Sequence, residues 1–259
     1  MIAILVAVKQ ELHPILHRAA ATQVVRQAHL DFHEGTLAGL PVALLALGIG
    51  KECARIAAEM TIRCYRPDLV ISAGFGGGLS EVVEDGDIVV GTEILDLVAD
   101  LGGDVQYRST YQLREWHELP AIDNGPFRVH HGKLITVEEM VLRAANKTRI
   151  GQVTGALAVD METSAVAAVC AAQDTEFLAV RAISDNSHEN LPDEFNDFFV
   201  LGQLQRGRIL SAIARSPRLV FDLGRLGYRA HAAGQNLAVF LETNLPHLHL
   251  PALAARQLQ

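Results

Sequence analysis

The chain opens on an unbroken apolar run, residues 2–8 (IAILVAV), with no polar residue to mark a solvent face. A strand of this kind must be covered on both sides, which places it in a sheet layered between helices. The signals that follow keep alternating. Residues 9–18 read as a helix with Pro14 in its first turns, where a missing N–H is tolerated. Residues 29–37 and 41–47 read as a hairpin across Ala38-Gly39, and Gly48-Ile49-Gly50 turns the chain into a helix over 51–65. A buried strand follows over 68–73, with further strands over 87–90, 127–135, 156–159 and 177–181. Helices are expected over 162–172 and, as a long final core helix, over 193–215. The order predicts an α/β fold with a mixed central β-sheet flanked by helices.

With 259 residues, 49% hydrophobic and 20% charged, the chain can bury a sizeable core. Its net charge of −8 repels phosphate backbones, so no nucleic acid partner is expected and a small neutral or cationic ligand fits better. No basic leader precedes the first apolar run, and no run nears the roughly 20 residues that span a bilayer. Cys53, Cys64 and Cys170 are odd in number and widely spaced, which suits a reducing compartment. The expectation is a cytoplasmic protein.

Residues 100–126 show little periodicity and read as a surface excursion. Between Arg206 and Arg229 stand six arginines and one aspartate, interleaved with Leu210, Ile213, Leu219, Val220, Phe221, Leu223 and Leu226. Such a stretch suits peripheral contact with an anionic membrane or a partner. The preferred reading is a C-terminal helix that docks on its own core and solvates its arginines.

Two features carry chemistry. Residues 73–79 (AGFGGGL) follow a buried strand as a glycine-rich turn whose backbone can approach a ligand. A dinucleotide fingerprint fails here, because the last glycine of G-x-G-x-x-G would fall on Leu79. Glu11, Glu162 and Asp185 each stand just beyond a strand. If those strands run parallel, the three carboxylates gather along one sheet edge. Each alone is more often an ordinary acid near a helix N-terminus.

The blocks ILVAVKQE (4–11), GIGK (48–51), SAGFGGGL (72–79) with GDIVV (86–90), AVDMETSA (158–165) and VRAISD (180–185) resemble, in this order, the nucleoside phosphorylase superfamily. They are most similar to its hydrolytic branch, the 5′-methylthioadenosine/S-adenosylhomocysteine nucleosidases. The 132–141 segment and the AVDME form also resemble the hopanoid-associated nucleosidases, which remove adenine from adenosylhopane. The resemblance covers about residues 1–213. It implies a nucleoside phosphorylase-like catalytic domain over 1–215, with a C-terminal helical extension over 216–259. It also implies a purine nucleoside as substrate, no cofactor, and at least a homodimer in which a partner chain closes the 5′ pocket.

By position, the resemblance makes Glu11 the carboxylate that activates water and Glu162 the grip on the ribose 2′ and 3′ hydroxyls, with Met161 beneath the sugar. Asp185 becomes the acid that protonates purine N7, supported by Ser184 and Arg181. Glu138 aligns with the family's Gly-Asp step, which puts Met140 against the base and Val141 along its edge. Phe195 lines the 5′-substituent pocket, while Gly74 and Phe75 flank the sugar. Phe75 departs from the pattern, since the nucleosidases carry a small hydroxyl residue there. It removes a hydrogen bond and fills space, which bears on substrate preference or the level of activity.

The chemistry agrees independently. Cleaving an N-glycosidic bond needs an acid at the base and an acceptor for a water proton at the sugar carbon, the two-carboxylate arrangement of inverting glycosidases. A phosphorylase would need arginines for phosphate, and the turn over 8–13 offers only Lys9. Phosphorolysis and a catalytically weak nucleoside-binding protein remain the rivals. His13 and His17 share a helix face without an H-E-x-x-H frame, and His130 and His131 point to opposite sides of a strand, so no metal site is expected. Ser184-Asp185-Asn186 matches the S-D-N of penicillin-binding enzymes, but no S-x-x-K accompanies it.

Overall fold

The computed structural model describes residues 1–27, 30–101, 104–113, 126–200, 203–204, 206–216 and 219–248. The chain begins with β1 (Ile2–Val6), α1 (Lys9–Leu16), β2 (Ala20–Gln27), β3 (Leu30–Leu37), β4 (Leu40–Ala46) and α2 (Lys51–Tyr65). It continues through β5 (Leu69–Gly78), β6 (Ile88–Leu101), β7 (Asp104–Gln112), β8 (Val129–Thr136), α3 (Ala144–Thr154), β9 (Ala156–Asp160), α4 (Thr163–Ala172) and β10 (Glu176–Asp185). Two short strands, β11 (Phe199–Val200) and β12 (Gln203–Leu204), precede α5 (Arg206–Arg215) and α6 (Leu219–Asn244).

The mixed sheet expected from the sequence is present, with ten strands. β1 runs parallel to β4 on one side and to β5 on the other, and β10 runs parallel to β5. β10 also pairs antiparallel with β6, β6 pairs with β8, β8 with β9, and β9 closes back on β5 through Gly77 and Gly78. Five strands thus curl into a ring, and β1, β4, β3 and β2 extend from it as an open wing. β9 is antiparallel to β5, so Glu162 reaches the other two acids through the curl of the sheet and not through a uniform parallel edge.

Both faces of the sheet are covered, as the apolar first strand requires. Ile4, Leu44, Ile71 and Val180 pack under α1 and α6 with Leu12, Ile15, Leu237 and Phe240. The alternate residues Leu5, Leu45, Val70 and Ala179 pack under α2 and α4 with Ala57, Ile62, Val166 and Cys170. Among the described residues no helix is long and apolar enough to cross a membrane.

Several expectations change. β1 ends at Val6 because Ala7 and Val8 donate their N–H groups to Glu11 Oε2, at 2.7 and 2.9 Å, and not to a neighbouring strand. Pro14 is the sixth residue of α1, beyond its first turn. The glycine-rich segment is no turn but the second half of β5. β2 was not expected, and the supposed excursion over 100–126 holds the last residues of β6 and all of β7, which pair with each other. Residues 114–125 of that excursion lie outside the described residues, as does His29 at the start of the expected hairpin.

The long helix over 193–215 is replaced by a 3-10 turn at Asp193–Phe198, the β11–β12 hairpin and α5. The Asn196 side chain takes both backbone groups of Met140, accepting from its N–H at 3.0 Å and donating to its carbonyl at 3.2 Å. That anchor, with Phe195 and Phe198 both turned inward at a spacing of three, favours the tighter helix.

Candidate active site

β1 and β9 each end in a loop or helix start that carries an acid, β10 ends on one, and all three acids face one cleft of about 420 Å³. Glu11 is held by three backbone donors. Ala7 and Val8 give to Oε2, and Phe75 gives to Oε1 at 2.6 Å. Gly74 lies directly beneath that carboxylate. Burial pushes the Glu11 carboxyl above its ordinary value, against these backbone hydrogen bonds and the Arg181 charge, which pull it down.

Glu162 caps the entry to α4 and accepts the Gly50 N–H at 2.7 Å. Gly50 has φ of 94°, a backbone conformation that favours glycine, and this aims its N–H across the sheet. Burial raises the Glu162 carboxyl to about 8, helped by the nearby Asp160 and Glu11 charges and opposed by the Gly50 N–H and Arg181. Asp185 accepts from Ser184 Oγ at 2.8 Å on Oδ1 and from Lys147 on Oδ2.

Met161, Phe75, Ser184, Met140, Val141 and Phe195 all line the same cleft. Gly74 and Arg181 stand behind its wall. Arg181 is buried in a network in which Nε donates to Asp160 at 2.6 Å and the guanidinium also reaches the Ser72 hydroxyl and carbonyl, both at 2.8 Å. It supports the floor from behind and does not line the cleft. Glu138 is exposed and does not line the cleft; it pairs with Lys51 at 2.9 Å.

Phe75 lines the cleft with part of its surface and otherwise packs against the core shared by α1 and α6. Its ring reaches Gly234 of α6, where a Cβ would lie 3.6 Å away. The bulky residue therefore has a packing partner in a helix that follows the resembling segment.

The far end of the cleft is apolar, with Leu191, Phe195, Phe198, Ile209, Leu223 and Leu226. Three of these come from α5 and α6. Of the basic tail, Arg225 pairs with Glu189 at 3.2 Å and Arg229 pairs with Asp85 at 3.1 Å and with Glu189, so these charges serve the chain's own fold. Arg218 lies outside the described residues. Sequence reasoning missed Lys147, Asp160, Asn196 and the α6 wall. Asp160, inside the AVDME block, was the one with a visible signal.

The family model of the phosphorylase superfamily matches residues 1–215. The chain belongs to this superfamily. Within it, the chain is 26% identical over 226 residues to a 5′-methylthioadenosine/S-adenosylhomocysteine nucleosidase of an Exiguobacterium species, covering 83% of this chain and 97% of the relative. It is 29% identical over 211 residues to the enzyme of the same name from Shewanella oneidensis, covering 77% and 89%. The fold matches that of futalosine hydrolase from Helicobacter pylori with a TM-score of 0.71 at 18% identity, covering 95% of this chain and 97% of that one. Helix α6, which lies beyond the residues the family model matches, contributes to the wall of the cleft.

Proposed function

We propose that this chain is an N-glycosyl hydrolase that cleaves a 5′-substituted adenosine to adenine and a 5-substituted ribose. The observation that carries the reading is the charge of the cleft. Glu11, Asp160, Glu162 and Asp185 line it, and among the described residues no lysine, arginine or histidine does. A phosphate nucleophile finds no cationic partner in such a lining, whereas water needs none. The family's nucleosidase relatives point the same way.

The reaction needs two proton transfers. Glu11, with its affinity for protons raised by burial, takes one from the attacking water at C1′. Asp185 gives one to purine N7 as the C1′–N9 bond breaks and its electron pair moves onto the base. Glu162 accepts the ribose 2′ and 3′ hydroxyls, and those hydrogen bonds strengthen as the sugar gains positive charge. Met161 packs beneath the sugar, and Met140 and Val141 bound the base.

The apolar far end indicates an uncharged 5′ substituent, because an amino acid group placed there would lose its hydration without gaining partners. α5 and α6 contribute to the wall of that end from within the chain. The three free cysteines accord with a cytoplasmic setting. A lipid-linked 5′ group of the adenosylhopane type is a second reading, favoured by Phe221 and Tyr228, which are 80% and 76% exposed on α6. Binding to anionic liposomes supports it, and absence of binding removes it.

Chromatographic assay of adenine from 5′-methylthioadenosine in phosphate-free buffer tests the main reading. Release of adenine with free sugar is expected. A requirement for phosphate favours a phosphorylase, and binding without turnover favours a nucleoside-binding protein.

A further inference from the structure

Lys147 is fully buried, and its ammonium has three acceptors: Asp185 Oδ2 and the carbonyls of Asn186 and Glu189, each carbonyl at 3.1 Å. A lysine has three N–H donors, so this set is complete. Burying an ammonium is costly unless it is paired and its hydrogen bonds are filled, and such a residue is rarely incidental. Lys147 enters from α3 and does not line the cleft. Of its three acceptors, Asp185 is the one that lines the cleft. The other Asp185 oxygen accepts from Ser184, and the next charges outward are Asp85 and its partner Arg229.

We propose that Lys147 is a positioning residue for proton delivery by Asp185, an inference that rests on the N-glycosyl hydrolase reading. When the C1′–N9 bond breaks, its electron pair goes to the purine. The Asp185 O–H bond breaks, N7–H forms, and a carboxylate is left behind in a site shielded from water. An ammonium already in contact with that carboxylate stabilises it as it forms, with no reorganisation. The two carbonyls hold Nζ in place, so the cation cannot follow the ligand into the cleft. Ser184 fixes the other oxygen, and the carboxyl plane is set from both sides.

A merely structural lysine would tether residues 186–189 and do no more. The two roles separate in a double-mutant cycle on the full chain, using Lys147→Met, Asp185→Asn and their combination. The substrate is 5′-methylthioadenosine, and the binding probe is its 7-deaza analogue, whose carbon at position 7 accepts no proton. Expected for Lys147→Met is a fall in kcat of roughly 10²-fold, within the range of general acid catalysis, while affinity for the 7-deaza analogue stays within about 3-fold.

The combined variant should turn over within about 2-fold of Asp185→Asn alone, since Lys147 acts only through that carboxyl. Lys147→Gln, which keeps a donor, provides the same comparison if the methionine variant does not fold. The inference is overturned if Lys147 variants keep wild-type kcat. It is equally overturned if they lose affinity for the 7-deaza analogue and add a further large loss to Asp185→Asn. Failure of the wild-type chain to release adenine overturns the reading and this inference together, whereas an active wild type with unaffected Lys147 variants overturns the inference alone.

Discussion

A Cβ on Gly74 would stand 2.8 Å from Oε1 of Glu11 and 3.1 Å from its carboxyl carbon. The carboxylate cannot simply swing aside, because Phe75, Ala7 and Val8 hold both of its oxygens with backbone N–H groups. Glycine is required there for space, at the point where two parts of the chain 63 residues apart meet behind the cleft wall.

Gly74→Ala should therefore displace the water-activating carboxylate while leaving the strand intact. The expected result is a loss of roughly 10²-fold in kcat, the usual cost of an ångström-scale misplacement of a reacting group. Thermal unfolding should shift much less than it does for a large-to-small change in the core. Steady-state kinetics with a parallel melting curve checks both, and unchanged kcat would remove Glu11 from the chemistry.

Glu162 gives a pH signature. With its carboxyl raised to about 8 from an ordinary 4.5, the folded chain holds a proton that the unfolded chain has lost across that window. Stability from this group is complete below the unfolded value and declines as pH climbs toward 8, because the unfolded state binds fewer protons. Glu162→Gln cannot ionise, so its stability relative to the wild type should rise between pH 5 and pH 8, by up to a few kcal/mol. The ligand side runs the other way, since the ionised form accepts the ribose hydroxyls. Wild-type kcat/KM should rise through neutral pH, and a 2′,3′-dideoxy analogue should bind without that rise. Urea titrations at several pH values and a kcat/KM profile decide it.

The sequence made legible whatever depends on local pattern. The buried strands, the helix over Lys51–Tyr65 and the recurring acid at or just past the end of a strand all declare themselves within a dozen residues. What depended on a distant partner did not. Nothing near the glycines tells that β10 and β9 will pair along them and keep the segment a strand. Nothing near Asn196 tells that Met140 will capture its side chain and break the expected long helix. Lys147 reads as one more polar residue of a weakly amphipathic helix until Asp185 is placed against it. The expected docking of a C-terminal helix on its own core is present, but it is carried by Ala233, Leu237, Ala238, Phe240 and Leu241, beyond the 206–229 stretch that predicts it, and all five are buried.

The wall contributed by α6 should set the preference for the 5′ group. Ala230 lines the cleft from α6 and lies partly buried, so Ala230→Phe projects a ring into the same volume. We expect kcat/KM to fall by at least about 10-fold for a butylthio substituent, in line with overpacking costs of 1–3 kcal/mol. Adenosine, which carries only a hydroxyl there, should be affected little. Equal losses for both substrates would place the 5′ group elsewhere.

The final prediction concerns the division of the chain near Arg215, where the superfamily match ends. In the structure α6 packs into the same core as β1 and β10, and Leu237, Phe240 and Leu241 are almost wholly buried there. Burying each such side chain contributes about 1.5–3 kcal/mol, so losing the three together removes roughly 5–9 kcal/mol. A domain of this kind is stable by only about 5–15 kcal/mol in all. A chain ending at Arg215 would also leave Ile4, Ile71 and Val180 without their cover and would open the cleft beside Phe75. It should lack a cooperative urea transition and bind no nucleoside. Circular dichroism through a urea titration, compared with the full chain, makes the test. A cooperatively folded 1–215 fragment would show that residues 216–259 form a separable extension after all, and that the α6 wall is an addition to an already complete catalytic domain.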